Sequence, residues 1–155
     1  MRRIVVAAAS ALAVMTFSIA AQSADKAATP ANAREWPLHG GDSNEQRYSP
    51  LKQITADNVG KLGLAWFADL SEKGQWQSTP VVVDGRIYVT TPWSKVYAFD
   101  AASGKALWKY DPKVPREIAA TRLCCNNSNR GVTYWKGKLI WGTLDGRLVA
   151  IDARK

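Results

Sequence analysis

Hydrophobic and polar residues alternate along the chain from Leu64 onward, which is the pattern of half-buried β-strands. Residues 79–83 and 86–90 are two such runs, and Asp84-Gly85 joins them. An Asp-Gly pair between β-rich runs is a strong hairpin signal, because glycine tolerates the positive φ of a type I′ turn. Residues 96–100 and 105–110 continue the alternation. The pattern therefore predicts a four-stranded antiparallel meander.

The same unit recurs 52 residues later. Residues 79–103 align with residues 131–155 without a gap, so that Gly85 falls on Gly137 and hydrophobic positions coincide. A recurring four-stranded unit of this size is typical of a β-propeller or a related array. The sequence therefore predicts an all-β protein built from sheets of this kind.

The repeat departs from a regular series of blades in two ways. A long connection, residues 111–130, lies between the two copies, and connections of this length usually carry a function or are disordered. The second copy reaches Lys155 after three of its four strands, which leaves a sheet edge unpaired. Since two blades cannot close a ring, the sequence looks truncated relative to the architecture that it encodes.

Composition limits the function classes. The chain is 46% hydrophobic and 22% charged, which excludes a disordered tail and a polytopic membrane protein. Two cysteines and one histidine exclude a four-thiolate zinc site and an internal Cys2His2 centre. The net charge is +8, but lysine and arginine are scattered singly, so we expect no nucleic-acid partner.

The N-terminus has the layout of a secretory signal. Basic Met1-Arg2-Arg3 precedes an apolar run and then small residues near Ala24. We expect residues 1–24 to be removed as a signal peptide on export to the periplasm, leaving no transmembrane span; an uncleaved anchor is the alternative. Residues 25–35 are rich in Ala and Pro and are predicted to be a flexible lead-in. Residues 36–155 are then the folded part.

Cys124-Cys125 is the most unusual feature of the long connection. Adjacent cysteines can bond to each other in an oxidising compartment, although the small ring strains the peptide, and such strain tends to occur at functional sites. Two buried thiols, or intermolecular cross-links, are the alternative. Arg130 follows in a polar loop. One interpretation is that its guanidinium binds carboxylates or carbonyls of a ligand through two parallel hydrogen bonds. The alternative is that it pairs with a backbone carbonyl at a turn.

Residues 36–152 resemble the N-terminal part of the pyrroloquinoline quinone (PQQ) dependent alcohol dehydrogenases, most closely the haem-containing periplasmic type. Residues 98–108 resemble the tryptophan-docking repeat of that family, in which tryptophan joins neighbouring blades. The other matching stretches are Glu45-Gln46-Arg47-Tyr48-Ser49-Pro50-Leu51, Leu64-Ala65-Trp66, Thr79-Pro80-Val81-Val82, Tyr110-Asp111-Pro112-Lys113-Val114, Cys124-Cys125, Asn129-Arg130-Gly131-Val132 and Gly142-Thr143-Leu144-Asp145-Gly146-Arg147-Leu148.

The resemblance implies an eight-bladed propeller with PQQ in its central cavity, of which this chain supplies about two four-stranded antiparallel W-type blades. Cys124 and Cys125 match the vicinal disulfide that packs against one face of the quinone. Arg130 matches the arginine that contacts the quinone oxygens. The family has glutamate three residues before the proline of its Thr-Pro motif, where this chain has Gln77. We assign Gln77 to the cofactor site, although its amide brings no negative charge.

The implied function is that of an N-terminal fragment of a periplasmic PQQ-dependent dehydrogenase, which oxidises a small alcohol by hydride transfer to PQQ and passes electrons to a cytochrome c-type acceptor. The family's catalytic aspartate and calcium ligands fall beyond Lys155, and haem c would belong to the full-length protein. No catalytic or metal-ligating residue is therefore assigned, and the fragment is expected to be inactive alone. The alternatives are a non-catalytic propeller that binds proteins as a scaffold, which does not call for Cys124-Cys125 with Arg130, and the remnant of a truncated gene.

Overall fold

The computed structural model describes residues 34–120, 123 and 126–155. Among these residues there are seven β-strands and three short 3-10 turns but no α-helix. The strands are β1 (Val81–Val83), β2 (Arg86–Thr90), β3 (Val96–Asp100), β4 (Ala106–Tyr110), β5 (Thr133–Trp135), β6 (Lys138–Gly142) and β7 (Leu148–Asp152). The 3-10 turns are Val59–Lys61, Pro92–Ser94 and Arg116–Ala120. Nothing in this described part forms a helix long and apolar enough to cross a bilayer.

The strands form two antiparallel sheets. Strands β1 to β4 make the first sheet in sequence order, and strands β5 to β7 make the second. The all-β class and the four-stranded meander are therefore confirmed. Strand β1 begins two residues later than predicted, because Pro80 has no N–H to donate and Thr79 pairs with Gly131 instead.

The 52-residue repeat is a structural repeat as well. Strands β5, β6 and β7 begin 52 residues after β1, β2 and β3, and the pairing of Val81 with Tyr88 recurs as that of Thr133 with Ile140. Within the described residues the second sheet has three strands where the first has four. The two copies are therefore successive sheets of the same design.

The hairpin turns of the two copies also match. Asp84 and Gly85 both have positive φ, at 51° and 69°, which is the type I′ geometry that the Asp-Gly pair predicts. Lys136 and Gly137 repeat it, with φ of 45° and 81°. Here the lysine takes the position that Asp84 holds in the first copy.

One hydrophobic core joins the two sheets. Tyr88 is buried at 1% exposure, and its hydroxyl donates to the carbonyl of Ala153 at 3.0 Å. Trp141 is buried too, and its indole ring meets Tyr110 edge-on at 5.6 Å between centroids. The other buried members of this core are Val81, Val83, Val96, Ala98, Val132, Leu139 and Ala153. The sheets therefore pack as a pair that shares a core.

Segments outside the strands hold the pair together. Trp36 exchanges two backbone hydrogen bonds with Val82 of β1, at 2.7 and 2.9 Å, and the carbonyl of Pro37 accepts one from Tyr134 of β5 at 3.3 Å. The indole of Trp66 lies over Gly104 in the turn after β3 and donates to the carbonyl of Ala101 at 3.0 Å.

Candidate functional site

The predicted site residues Gln77 and Arg130 lie on two neighbouring stretches of chain. Residues 77–79 lead into β1, and residues 128–131 lead toward β5. The amide of Thr79 donates to the carbonyl of Arg130 at 3.0 Å, and the hydroxyl of Ser128 donates to Oε1 of Gln77 at 3.1 Å. The structure thus brings together two predicted residues that are 53 positions apart in the sequence (130 minus 77).

The two stretches touch most closely at Gly131. Its φ is +136°, and a Cβ atom added there would lie 2.9 Å from the carbonyl oxygen of Thr79. No side chain is compatible with both the backbone conformation and this contact. Glycine at this position therefore fixes the backbone on the C-terminal side of Arg130 against β1.

The side chain of Arg130 is exposed, and among the described residues its guanidinium has no hydrogen-bond or ion-pair partner. Arg130 borders a cavity of about 180 Å³ together with His39, Thr79, Val132 and their neighbours. Five N–H donors in a planar fork are thus available to an anionic or carbonyl-bearing ligand. Pairing of the guanidinium with a backbone carbonyl, the alternative, does not occur among the described residues. The hydrogen bond from the amide of Thr79 is to the main-chain carbonyl of Arg130.

Gln77 is exposed as well. Its carbonyl oxygen accepts from Ser128, and its amide N–H groups have no partner among the described residues. A neutral donor occupies the position at which a carboxylate would otherwise add negative charge.

A second cavity, of about 270 Å³, lies beside the same loop. It is lined by Trp93 of the β2–β3 turn and by Leu123, Asn126 and Asn127. The amide of Trp93 donates to the carbonyl of Asn127 at 2.8 Å, and the guanidinium of Arg116 lies 3.9 Å from the centre of the Trp93 ring. An aromatic ring thus borders this cavity directly alongside the loop residues.

Cys124 and Cys125 lie outside the described residues, so their disulfide stays a prediction. The described residues on either side of them, Leu123 and Asn126, border the second cavity. Oδ1 of Asn127 is buried and has no hydrogen-bond partner among the described residues. A buried acceptor without a donor is costly, so the position of this side chain carries an energetic penalty within the described residues.

Both polar atoms of the Asn129 side chain make hydrogen bonds. Its amide nitrogen donates to the carbonyl of Gly142 at 2.9 Å and to the hydroxyl of Ser94 at 3.3 Å, and its Oδ1 accepts from the amide of Gly131 at 3.1 Å. Ser94 in turn accepts from the amide of Leu144 at 3.2 Å. These contacts link the loop to both sheets.

A buried charge cluster precedes Gln77. The carboxylate of Glu72 accepts hydrogen bonds from Lys95 at 2.7 Å, from Tyr97 at 2.7 Å and from Lys109 at 2.8 Å. Burial alone would raise the pKa of Glu72, but the hydrogen bonds from Lys109, Lys95 and Tyr97 outweigh it and lower this pKa from 4.5 to about 2. The cluster ties the irregular segment before Gln77 to strands β3 and β4.

Sequence reasoning missed Asn129, Ser94 and Glu72. Asn129 could have been identified from the sequence, because it directly precedes Arg130 in a stretch that resembles the family. Ser94 aligns with Gly146 in the repeat, so that a serine stands where its copy has glycine, and this departure from the repeat was the available signal. Glu72 lies in the stretch after Leu64 that the alternation predicted to be β-like, but the structure has no strand there before β1, and no motif distinguished Glu72. Among the residues that the structure describes, no three His, Cys, Asp or Glu side chains are grouped closely enough to hold a metal ion.

Comparison with known proteins gives consistent matches. A family profile described as the PQQ glucose/ethanol/alcohol dehydrogenase β-propeller domain matches residues 36–155. Alcohol dehydrogenase (quinone), dehydrogenase subunit, of Gluconobacter oxydans is 54% identical over 120 residues, which cover 77% of this chain and 16% of that protein. The 1-butanol dehydrogenase (cytochrome c) of Thauera butanivorans is 57% identical over 120 residues, covering 77% of this chain and 17% of that protein.

The fold agrees with these relatives. The solved structure of quinohemoprotein alcohol dehydrogenase ADHIIG from Pseudomonas putida HK5 superimposes with a TM-score of 0.77 at 52% identity. This superposition covers 80% of the present chain and 18% of that one. The chain spans about a sixth of the length of the curated relatives that it matches.

Proposed function

Since this chain belongs to the PQQ-dependent glucose/ethanol/alcohol dehydrogenase family of β-propellers, we propose that it forms one wall of the PQQ site of a periplasmic alcohol dehydrogenase. The observation that carries the proposal is the unpartnered guanidinium of Arg130, held on a backbone that Thr79 and Gly131 fix in place. A guanidinium so placed is matched to the carboxylates and ortho-quinone oxygens of PQQ.

The residues present fit such a ligand. PQQ is planar and carries acidic groups, and this wall offers two kinds of donor for them, the cationic guanidinium of Arg130 and the amide N–H groups of Gln77. Donors near the quinone oxygens would stabilise the negative charge that develops there on reduction. When bound, PQQ supplies the two-electron acceptor for alcohol oxidation, and the protein supplies orientation and electrostatics.

Cys124 and Cys125 complete this wall in the proposal. Their disulfide would offer a flat surface against one face of the quinone, as the family resemblance implies. Leu123 and Asn126, which flank the pair, border the cavity beside Trp93. The expected readout is a mass gain of two alkyl groups only after reduction of the exported protein.

Gln77 is the main departure from the family pattern. We propose that its N–H groups donate to the cofactor, while its lack of charge weakens any contribution to a nearby calcium ion. The variant Gln77→Glu restores the carboxylate. We expect it to make PQQ binding more dependent on calcium.

Substrate, metal and electron acceptor follow from the relatives and are proposals for this protein. Relatives named as alcohol and 1-butanol dehydrogenases favour a small alcohol as substrate, and the name of the latter includes cytochrome c as acceptor. The quinohemoprotein relative favours haem c elsewhere in the full-length protein. Calcium, as a Lewis acid, would be held by ligands outside these residues. The chain is accordingly proposed to be inactive alone.

The decisive experiment is a graft. Residues 36–155 replace the matching segment of the Pseudomonas putida enzyme ADHIIG, and PQQ binding and alcohol oxidation are measured. We expect the graft to bind PQQ and to oxidise alcohols. Arg130→Ala in the graft should weaken PQQ binding by about ten- to a hundredfold, the range for a hydrogen bond to a charged group.

Arg154→Ala is the matched control, because Arg154 is exposed and its guanidinium pairs with Asp84, at the opposite end of the strands from Arg130. It should leave PQQ affinity unchanged. A folded graft that binds no PQQ would refute the proposed function. Equal effects of the two arginine variants would refute the role of Arg130.

Export is part of the proposal and has its own test. The mature protein should begin after residue 24, so its intact mass from a periplasmic extract should lack the first 24 residues. A protein that retains Met1 and stays in the cytoplasm would contradict the periplasmic location.

A further inference from the structure

The backbone around Arg130 is held on both sides, while its side chain has no partner among the described residues. On the N-terminal side the carbonyl of Asn129 accepts from the hydroxyl of Thr90 at 3.3 Å. The carbonyl of Arg130 accepts from Thr79, and the amide of Gly131 donates to Oδ1 of Asn129. Three consecutive residues thus have fixed backbone groups around a single unpartnered guanidinium.

Asn129 supplies the connection to the sheets. Its two amide N–H groups reach Ser94, in the turn between β2 and β3, and Gly142, at the end of β6. One side chain therefore contacts the first sheet, the second sheet and its own loop. An arrangement that bridges three parts of the structure defines where the loop lies relative to both sheets.

Ser94 is the residue of the first sheet's β2–β3 turn to which Asn129 is hydrogen-bonded. It is 0% exposed and has φ of +59°, a backbone conformation that serine rarely adopts. Its hydroxyl oxygen accepts from Asn129 and from Leu144, and its carbonyl accepts from the indole of Trp141 at 3.0 Å. Strained residues persist where their surroundings over-determine them, often at functional sites.

We propose that Asn129 and Ser94 are positioning residues for Arg130: the hydrogen-bonded pair fixes the backbone from which the guanidinium reaches its ligand. This inference rests on the proposed function for the identity of that ligand, the quinone cofactor. Fixing the backbone matters because arginine has several rotatable bonds, and a ligand contact is stronger when less of the chain has to be ordered on binding.

The first test is trypsin cleavage of the 155-residue chain at the bond after Arg130. An exposed arginine on a backbone paired with Thr79 is a poor substrate until the loop opens. Asn129→Ala should raise the cleavage rate after Arg130 about tenfold or more. Cleavage after Arg86, within β2, should not change, whereas a general loss of stability would raise both rates.

Asn126→Gly is the matched control. Asn126 is an exposed asparagine of the same loop with φ of +85°, which glycine adopts without strain, and among the described residues its Oδ1 accepts from the neighbouring amide of Asn127, at 2.7 Å. Its substitution should leave cleavage after Arg130 unchanged. Equal cleavage in the Asn129 and Asn126 variants would overturn the positioning role.

Milder variants keep the proposal testable if Asn129→Ala fails to fold. Asn129→Ser loses both amide donors but keeps a short hydroxyl that can accept from the amide of Gly131, so it should cleave at an intermediate rate. Ser94→Ala removes one acceptor of Asn129 and should also be intermediate. In the double variant Ser94→Ala/Asn129→Ala the rate should fall short of the product of the two single effects, because both changes break one shared contact. Fully multiplicative effects would overturn the pairing.

The second test uses the PQQ graft described above. Asn129→Ala should weaken PQQ binding about tenfold when Arg130 is present and should have no effect in the Arg130→Ala background. An equal loss in both backgrounds would show that Asn129 does not act through Arg130. If the graft binds no PQQ at all, the proposed function fails, while the cleavage experiment still decides whether Asn129 and Ser94 hold the loop.

Discussion

The two sheets contain the same turn in two different settings. Thr91 and Lys95 close the β2–β3 turn through a backbone hydrogen bond of 2.9 Å, and Thr143 and Arg147 close the β6–β7 turn through one of 2.8 Å. The first turn is buried apart from half-buried Trp93, whereas the second becomes exposed at Gly146 and Arg147. The repeat thus sets the backbone of the turn, and what packs on it decides its role.

The positive φ angles differ in the same way. Trp93 and Ser94 adopt φ of 66° and 59° in the first turn, whereas Gly146 takes the positive φ, 87°, in the second. Glycine is the low-strain choice in the exposed turn. In the first turn, Trp93 and Ser94 have this strained backbone conformation. Trp93 contacts Asn127 and Ser94 contacts Asn129, both in the candidate site. Strain is found in the copy that touches the site.

The largest loss of stability is expected when Lys95, the cation at the end of the first turn, loses its partner Glu72. The side chain of Lys95 is 10% exposed and pairs with Glu72, so Glu72→Gln leaves a buried ammonium without its main partner. We expect a loss of about 3 kcal/mol of unfolding free energy, since breaking a buried pair from one side costs several kcal/mol. Urea denaturation at pH 7 measures it. An effect below about 1 kcal/mol would contradict the buried pairing.

The same cluster predicts a pH dependence. The pKa of Glu72 is lowered from 4.5 to about 2 in the folded state, so its stabilising contribution is present above pH 4.5 and is lost as the pH falls toward 2. The shift corresponds to at most about 3 kcal/mol. Denaturation midpoints between pH 5 and pH 2 should fall more steeply in the wild type than in Glu72→Gln. Parallel curves would contradict the assignment.

A smaller effect is expected at the exposed turn. Gly146→Ala forces a Cβ atom into a backbone with φ of +87°, where no neighbouring atom blocks it. The cost should be about 1 kcal/mol, from backbone strain alone. Thermal unfolding compared with Gly60→Ala, at a glycine that also has open space but no positive φ, isolates that strain.

The smallest effect is expected for the cation of the second turn. Asp145 is 13% exposed, but its partner Arg147, at 2.7 Å, is half exposed, so in Asp145→Asn the unpaired cation stays in contact with water. The cost should therefore be smaller than that of Glu72→Gln, on the order of 1 kcal/mol. Denaturation in low and high salt tests this, since a pair with a half-exposed guanidinium should weaken with salt. A cost as large as that of Glu72→Gln would remove the contrast between the two turns.

Local patterns predicted the strands well. Alternation and the Asp84-Gly85 pair were enough for β2, its hairpin and the repeat, because these features depend on residues close in sequence. The start of β1 was misplaced, since Thr79 pairs with a residue 52 positions away, and the β-like alternation predicted from residue 64 onward corresponds to no strand before β1. Strand boundaries of this kind depend on tertiary contacts that alternation does not contain.

The site was predictable only in part. Gln77 and Arg130 were singled out because they fall in stretches that resemble a family, but their proximity depends on the contact between Ser128 and Gln77. The roles of Asn129 and Ser94 depend on hydrogen bonds between residues 35 positions apart. No periodicity in the sequence reports such contacts.

The hydrogen bonds of Trp36 and Pro37 have a consequence for the order of folding. Each sheet consists of neighbouring hairpins, which form from local chain within microseconds. The bond from Tyr134 to Pro37 instead closes a loop of nearly one hundred residues, which costs far more chain entropy. The segment with Trp36 and Pro37 is therefore expected to pair with β1 and β5 last, after both sheets have formed, although it is synthesised before either sheet.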